Sequence, residues 1–313
     1  MKELYSFAGI TKQALWKHRK HQELTVCQTT QVIKTIERKR KDHRKMGVRN
    51  LYYMVKEESP VGRDIFERIG LSNGFRIKRT RSVIKTTWSQ RVEYYPNLIE
   101  GKILTGINQV WQSDMFYIMS QGQVFYGVTI IDVYSRKLLS LHISRSLSAK
   151  SLESAMKKAL KQRVGHDLRG CIFHSDRGGQ YISKSHKLIL RQNKMGISMC
   201  VLPQENAYAE RVQGTLKNDY IVFKNLREGN MAYVSSKTLK LYNDEKPHLG
   251  LKRMSPTDFE KYVDKLPHSE RPKMPIYQWN HGLLTNFQLV NKKKKVAKKK
   301  KSTTTIVNLN VKV

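Results

Sequence analysis

Three acidic residues stand at positions where a carboxylate needs a reason. Asp114 interrupts an apolar, strand-like run in Trp111-Gln112-Ser113-Asp114, and a carboxylate inside such a strand is unfavourable unless it is paired or binds a cation. Asp176 follows a short apolar run in His174-Ser175-Asp176-Arg177-Gly178-Gly179-Gln180-Tyr181. Strand carboxyl ends are where α/β sheets place ligands, and the glycines allow a backbone to come close. Glu210 sits in Asn206-Ala207-Tyr208-Ala209-Glu210, early in a helical pattern. Converging from two strands and a helix, the three would make an oxygen-rich site for hard divalent cations. Two Mg²⁺ held there, with Mn²⁺ able to substitute, activate one oxygen and stabilise the departing one in an in-line phosphodiester displacement. Such chemistry requires no protein nucleophile. Gly214 and Lys217 follow Glu210 on the same helix face; the glycine leaves room for a DNA backbone and the lysine meets a phosphate. Each acid also has an ordinary reading, a hydrogen-bonded aspartate in a strand or a solvated glutamate on a helix.

The elements that must position these residues are legible in outline. Val110–Ile118, Val124–Asp132 and Lys137–Ile143 alternate as strands, with hairpin-length connections at Ser120-Gln121-Gly122 and Tyr134-Ser135-Arg136. Ser148 is placed to cap a helix carrying Leu152, Ala155, Met156, Ala159 and Leu160. A short strand over Cys171–His174, a helix from Lys184 to Asn193, an apolar run Ile197–Leu202 and a helix from Ala207 to about Phe223 complete the pattern. Strands first and then alternating helix and strand predict an α/β fold with a mixed sheet flanked by helices. Upstream, a helical pattern begins at Thr30 with Val32, Ile33 and Ile36 on one side. A turn at Met46-Gly47 leads to a second helix with Leu51, Met54 and Val55, and a third, Arg63–Ile69, is closed by Gly70. Three short helices with tight turns suit an all-α helix-turn-helix-like unit, or equally an ordinary three-helix bundle. The expected division is a helical region over 1–74, a basic linker over 75–107, a core over 108–264 and a Lys-rich tail over 265–313. Eight lysines lie between Lys292 and Lys301, and Val307, Leu309, Val311 and Val313 alternate as a terminal strand would.

Composition narrows the partners. The 313 residues carry 59 Lys+Arg against 25 Asp+Glu, a net charge of +34, which calls for a polyanion. The excess is spread: residues 1–100 hold 22 basic and 10 acidic side chains, and the last 49 hold 12 and one. A long duplex crossing several regions fits this better than a small anionic substrate. No apolar run approaches the ~20 residues that span a bilayer. The three cysteines, Cys27, Cys171 and Cys200, are odd in number and widely spaced, which points to a reducing compartment. A cytoplasmic, nucleoid-associated protein with no membrane partner is expected.

Trp-x-x-Asp, His-Ser-Asp-x-Gly-x-Gln-Tyr and Asn-Ala-x-x-Glu-Arg-x-x-Gly-x-Leu-Lys resemble the catalytic signatures of bacterial insertion-sequence transposases, closest to the OrfB subunit of the IS-three family. The likeness extends to Asp132-Val133-Tyr134-Ser135-Arg136, to Tyr242-Asn243-Asp244-Glu245-Lys246-Pro247-His248 and to Ser255-Pro256-Thr257-Asp258-Phe259. Gly47-Val48-Arg49 and Gly62-Arg63-Asp64 are similar to the family's amino-terminal helix-turn-helix region, so the resemblance covers roughly residues 25–262. It implies a ribonuclease-H-like core of five mixed strands, two Mg²⁺ ions, 3′-end cleavage and strand transfer. Asp114, Asp176 and Glu210 become the catalytic metal ligands, and Lys217 a contact to terminal DNA. Arg211, Arg177, Arg63, Arg49, Lys246 and His248 are further candidate DNA contacts. Asp132 reads as a turn former, and His174 as structural or DNA-contacting rather than metal-binding.

Three departures qualify the likeness. The interval between Asp176 and Glu210 holds 33 residues, slightly fewer than the family pattern, and the shortfall falls in Cys200–Glu205. Glu205 is a conceivable substitute for Glu210 but lacks its motif. Lys246 stands where the family has Arg, which keeps the charge and loses the fork. His18 and His21 lack a Cys-x₂-Cys partner, so no zinc is expected. The implied partners are double-stranded DNA, further copies of the chain on that DNA, and an OrfA product as partner or fusion. Two other readings remain: a ribonuclease-H-like nuclease that only hydrolyses, and a non-catalytic DNA-binding protein derived from a transposase.

Overall fold

The computed structural model of the chain describes Gly9 and residues 11–77, 94–200 and 202–276. The rest of the expected linker, Val201, the lysine run and the alternating terminus lie outside the described residues. Among those described, no helix is long and apolar enough to cross a membrane.

The central sheet forms from β2 (Val110–Ser120), β3 (Gln123–Asp132), β4 (Leu138–Ser144), β5 (Ile172–Ser175) and β6 (Gly196–Met199), in the order β4-β3-β2-β5-β6. β2, β3 and β4 are antiparallel neighbours, whereas β5 and β6 run parallel to β2. This is the ribonuclease-H-like arrangement. Gln121 and Gly122 both take positive φ, 48° and 73°, and form the two-residue loop that the Ser120↔Gln123 pairing requires. The hairpin pins the register: Asp114 faces Thr129 and Trp111 faces Asp132.

Helices cover both faces. α4 (Ala149–Gln162) and α5 (Lys184–Gln192) pack Leu152, Ala155, Met156 and Leu190 against Trp111, Val128, Leu139 and Phe173. α6 (Ala207–Thr215) and α7 (Met231–Lys240) pack Ala209, Val212 and Val234 against Phe116, Ile118 and Leu141. Ser148 occupies the N-cap position of α4, but its side chain makes no capping bond. The helix expected from Ala207 to Phe223 is continuous but not uniform. It passes through a π turn at Leu216–Tyr220 and a 3₁₀ turn at Ile221–Phe223.

Below the sheet, β1 (Ile103–Leu104) pairs with β7 (Met274–Pro275), and α8 (Pro256–Asp264) seats Phe259 and Val263 on Tyr134. Ile99 and Leu104, in the stretch expected as linker, are buried with Ile276 from beyond the expected core boundary. Ile99, Leu104 and Ile276 therefore pack with the core from either side of its expected boundaries.

The amino-terminal unit consists of α1 (Lys12–Arg40), α2 (Val48–Met54) and α3 (Arg63–Ser72) around Val32, Ile36, Leu51, Val55 and Phe66. α1 starts 18 residues before the expected Thr30, with Thr11 as its side-chain N-cap. Its first half is exposed and polar and so shows no apolar period to read. Gly70 does not close α3. It is buried inside the helix, where an added Cβ would lie 2.6 Å from Val48 Cγ1, and Gly74, with φ of 81°, follows the helix end. The glycine serves close packing, which reads from sequence like a cap.

Candidate active site

Alternation along β2 directs Gln112, Asp114, Phe116 and Ile118 to the α6 side and Trp111 to the other. Asp114 is buried, and its Oδ1 accepts a bond from Met115 N–H at 2.8 Å. Its backbone carbonyl accepts from Thr129 Oγ1 on β3 at 3.1 Å. Asp176 comes directly after β5, the parallel neighbour of β2, and is half-buried. Its Oδ1 accepts from Gly178 N–H at 3.0 Å, and a Cβ on Gly178 would meet that oxygen at 3.1 Å. Glu210 lies in the first turn of α6 with its side chain exposed.

The three carboxylates act on one another. Burial, then Asp176 and Glu210, push Asp114 up to about 7. Burial also raises Asp176, against the Gly178 N–H, and raises Glu210 with the help of Asp176. Among the described residues no three His, Cys, Asp or Glu side chains are drawn tight enough to enclose a metal ion by themselves. The set is an open, mutually repelling group of carboxylates.

Glu205 is engaged within its own loop, where its Oε2 accepts from Leu202 N–H at 3.2 Å. Asp132 is fully buried and holds the turn, its Oδ1 accepting from Tyr134 and Ser135 N–H and its Oδ2 from Asn108 N–H. His174 is buried with Nδ1 2.9 Å from Ser198 Oγ, and burial pushes it down to about 4.

The candidate DNA contacts fall in four places. Lys217 lies in the π turn with Nζ 4.0 Å from the Tyr117 ring centre, and Arg211 is exposed beside Glu210. Arg177 stacks on Tyr94 at 4.2 Å and donates from Nε to Cys200 O at 2.9 Å, bracing the loop after β6. Lys246 and His248 are half-buried near Arg136 and Arg211. The His248 ring packs 5.1 Å from Tyr242, and burial with those three cations pushes it down to about 3. Arg49 and Arg63 are on the helical unit, paired with Glu67 and Asp64 at 2.8 Å each.

Sequence reasoning missed Gln112 and Asn206, which tie the Asp114 strand to the Glu210 helix, and also Arg163 and Glu260. Gln112 shares a strand face with Asp114, a signal that was available. Arg163 and Glu260 had none: they meet Asp132, Ser135 and Lys137 in a buried ionic network spanning distant segments.

Five strands in this order, with one acid inside β2, a second just past its parallel neighbour β5 and a third on the helix that packs on β2, define a polynucleotidyl-transferase core. Residues 105–202 match the family described as Integrase core domain. A transposase for insertion sequence element IS904 of Lactococcus lactis is 33% identical over 174 residues, covering 53% of this chain and 67% of the relative. The insertion element IS600 uncharacterized 31 kDa protein of Shigella sonnei is 30% identical over 209 residues, covering 64% of this chain and 76% of the relative. Among solved structures, the HTLV-2 integrase catalytic core in complex with magnesium aligns with a TM-score of 0.40 at 15% identity, over 52% of this chain and 99% of that one. The chain belongs to the insertion-sequence transposases that carry an integrase catalytic core.

Proposed function

We propose that Asp114, Asp176 and Glu210 are the catalytic residues of this transposase and bind two Mg²⁺ ions, cutting the 3′ ends of its element and joining them to target DNA. The observation that carries this reading is their position on neighbouring elements: Asp114 lies on β2, Asp176 directly after its parallel neighbour β5, and Glu210 on the helix bonded to β2 through Gln112, with Asp176 raising the proton affinity of both other acids. An open set suits Mg²⁺, which binds through one or two carboxylates and completes its shell with phosphate oxygens and water. When bound, the cations would polarise the scissile phosphate and stabilise the departing oxygen. The chain's own groups hold and orient the DNA. Lys217 is placed to meet a backbone phosphate two turns from Glu210, and Arg211, Arg177, Lys246 and His248 flank the same region. Arg49 and Arg63 project from the helical unit, which would bind the element's ends. The arrangement is a DNA-binding region over 1–74, a linker, a catalytic core that extends over 94–276 and a lysine-rich tail. Handling two DNA ends calls for several copies of the chain, with an OrfA product as partner or fusion, in the cytoplasm at the nucleoid. Mn²⁺ would substitute for Mg²⁺, and zinc has no role.

The test is strand transfer on labelled DNA bearing the element's own ends, with Mg²⁺, comparing wild type with Glu210→Gln. Joined products that vanish in the variant support the reading. Nicking without joining, even with OrfA added, would favour the nuclease; binding with neither reaction would leave a non-catalytic DNA-binding protein.

A further inference from the structure

Gln112 is fully buried on β2, two residues before Asp114 and on the same face. Its Oε1 accepts from Ala209 N–H at 3.2 Å, and its Nε2 donates to Glu205 O at 3.1 Å. Residues 209 and 205 are i and i−4, the two partners of an α-helical bond. The Gln112 amide stands between them, accepting from one and donating to the other. Ala209 N–H is also the third donor of α6, which an N-cap side chain ordinarily satisfies. Asn206, at that N-cap position, makes no capping bond. Its Nδ2 instead donates to Ser113 O at 3.0 Å. Two amides are thus exchanged: one from the strand completes the helix start, and one from the helix start fastens to the strand. Ser113 adds a third tie on the opposite face, its Oγ 3.1 Å from the hydroxyl of Tyr181, which follows Asp176 in its motif.

We infer that Gln112 is a positioning residue of the active site: its amide splices the strand of Asp114 to the first turn of the helix of Glu210 and so fixes the spacing of two catalytic carboxylates. Glu210 is exposed and lies in the first turn of its helix. Without a fastening at its first turn, the helix start has every reason to fray outward. A buried backbone donor and acceptor left unpaired would add to that tendency. The inference rests on the reading of Glu210 as a cation ligand.

The experiment compares wild type, Gln112→Met, which keeps the side-chain length and loses both bonds, and Gln112→Asn, which keeps a buried amide one methylene too short. Two readouts are taken on the full chain: amide hydrogen exchange over residues 207–210, and strand transfer on end DNA as Mg²⁺ is varied. Both variants are expected to lose protection at Ala209. The end-DNA Kd should hold while kcat falls and the half-saturating Mg²⁺ rises, each by about tenfold. Excess Mg²⁺ should recover part of the rate, a rescue that general loss of stability would not give. If the Met variant does not fold, the Asn variant decides by the same readouts. Wild-type exchange at Ala209, or an unchanged Mg²⁺ requirement, overturns the inference. Glu210→Gln, run in parallel, separates the two ideas: full activity in that variant sinks the cation-ligand reading, whatever Gln112 does.

Discussion

Asp114 is the residue on which burial and repulsion act together. In an unfolded chain its carboxyl would titrate near 3.9, whereas in the fold burial, Asp176 and Glu210 push it up to about 7. The native state therefore holds the proton more tightly, so this residue's contribution to stability is full below about pH 4. It is lost as the pH rises to about 7. We expect the cation-free protein at pH 8 to be stabilised by Asp114→Asn, with a Tm about 2–4 °C higher for each kcal/mol recovered, and to lose strand transfer. Melting curves at pH 5 and pH 8 check this, since the gain should shrink at the lower pH. An equal or smaller Tm for the variant at pH 8 would contradict it. Lys217 belongs at the same scale. Its ammonium is partly desolvated over Tyr117, which lowers its pKa. Lys217→Ala should weaken end-DNA binding and reduce the log–log salt slope by about 0.9, the share of one phosphate, while leaving cation binding intact. An unchanged slope would remove the lysine from the DNA interface.

At the scale of elements, the β2–β3 hairpin was readable because alternation, turn length and Gly122 all agreed. Its packing was not. Phe116 on β2 lies over Gly127 on β3, where an added Cβ would sit 2.5 Å from the ring. Gly127→Ala is accordingly expected to cost about 1–3 kcal/mol by overpacking, measured by chemical denaturation; a neutral substitution would show that the ring can move. The turn after β3 carries the larger stake. Arg163, at the end of α4, neutralises Asp132 and Glu260 with all three side chains nearly inaccessible. Arg163→Met would leave Asp132 without its buried cation, and we expect a loss of about 3–5 kcal/mol. The π turn at Leu216–Tyr220 shows the reverse limit on reading elements. Periodicity gave one helix to Phe223, yet the wider turn changes which residues share the face of Glu210.

Across the whole molecule, the helical unit is fastened to the core beside the end of the Glu210 helix. His43 is buried between Tyr220 OH at 3.1 Å and Glu245 Oε2 at 3.0 Å. Asp42 pairs with Lys237 at 3.0 Å, and Arg253 donates to Asn50 Oδ1 at 2.7 Å. The net charge of +34 is distributed over all regions, so DNA affinity should fall steeply with salt. Deleting residues 291–313, with eight lysines between Lys292 and Lys301, is expected to weaken nonspecific binding and spare preference for the element's ends. Competition between end and random duplex checks this; loss of preference would give the tail a part in recognition.

By itself the sequence determined what is local: the three acidic motifs, the alternation that makes β2, β3 and β4, the hairpin turn and the basic charge that calls for a polyanion. Each is written within a dozen residues by period, turn chemistry or composition. The tertiary structure alone decided how the motifs are held together. The Gln112–Ala209 bond joins residues 97 apart, Arg163 reaches Glu260 across 97, and His43 reaches Glu245 across 202. Contacts at such separations leave no period in the chain, because a single polar side chain reads the same whether it faces water or splices two elements. Only the folded geometry supplies its partner.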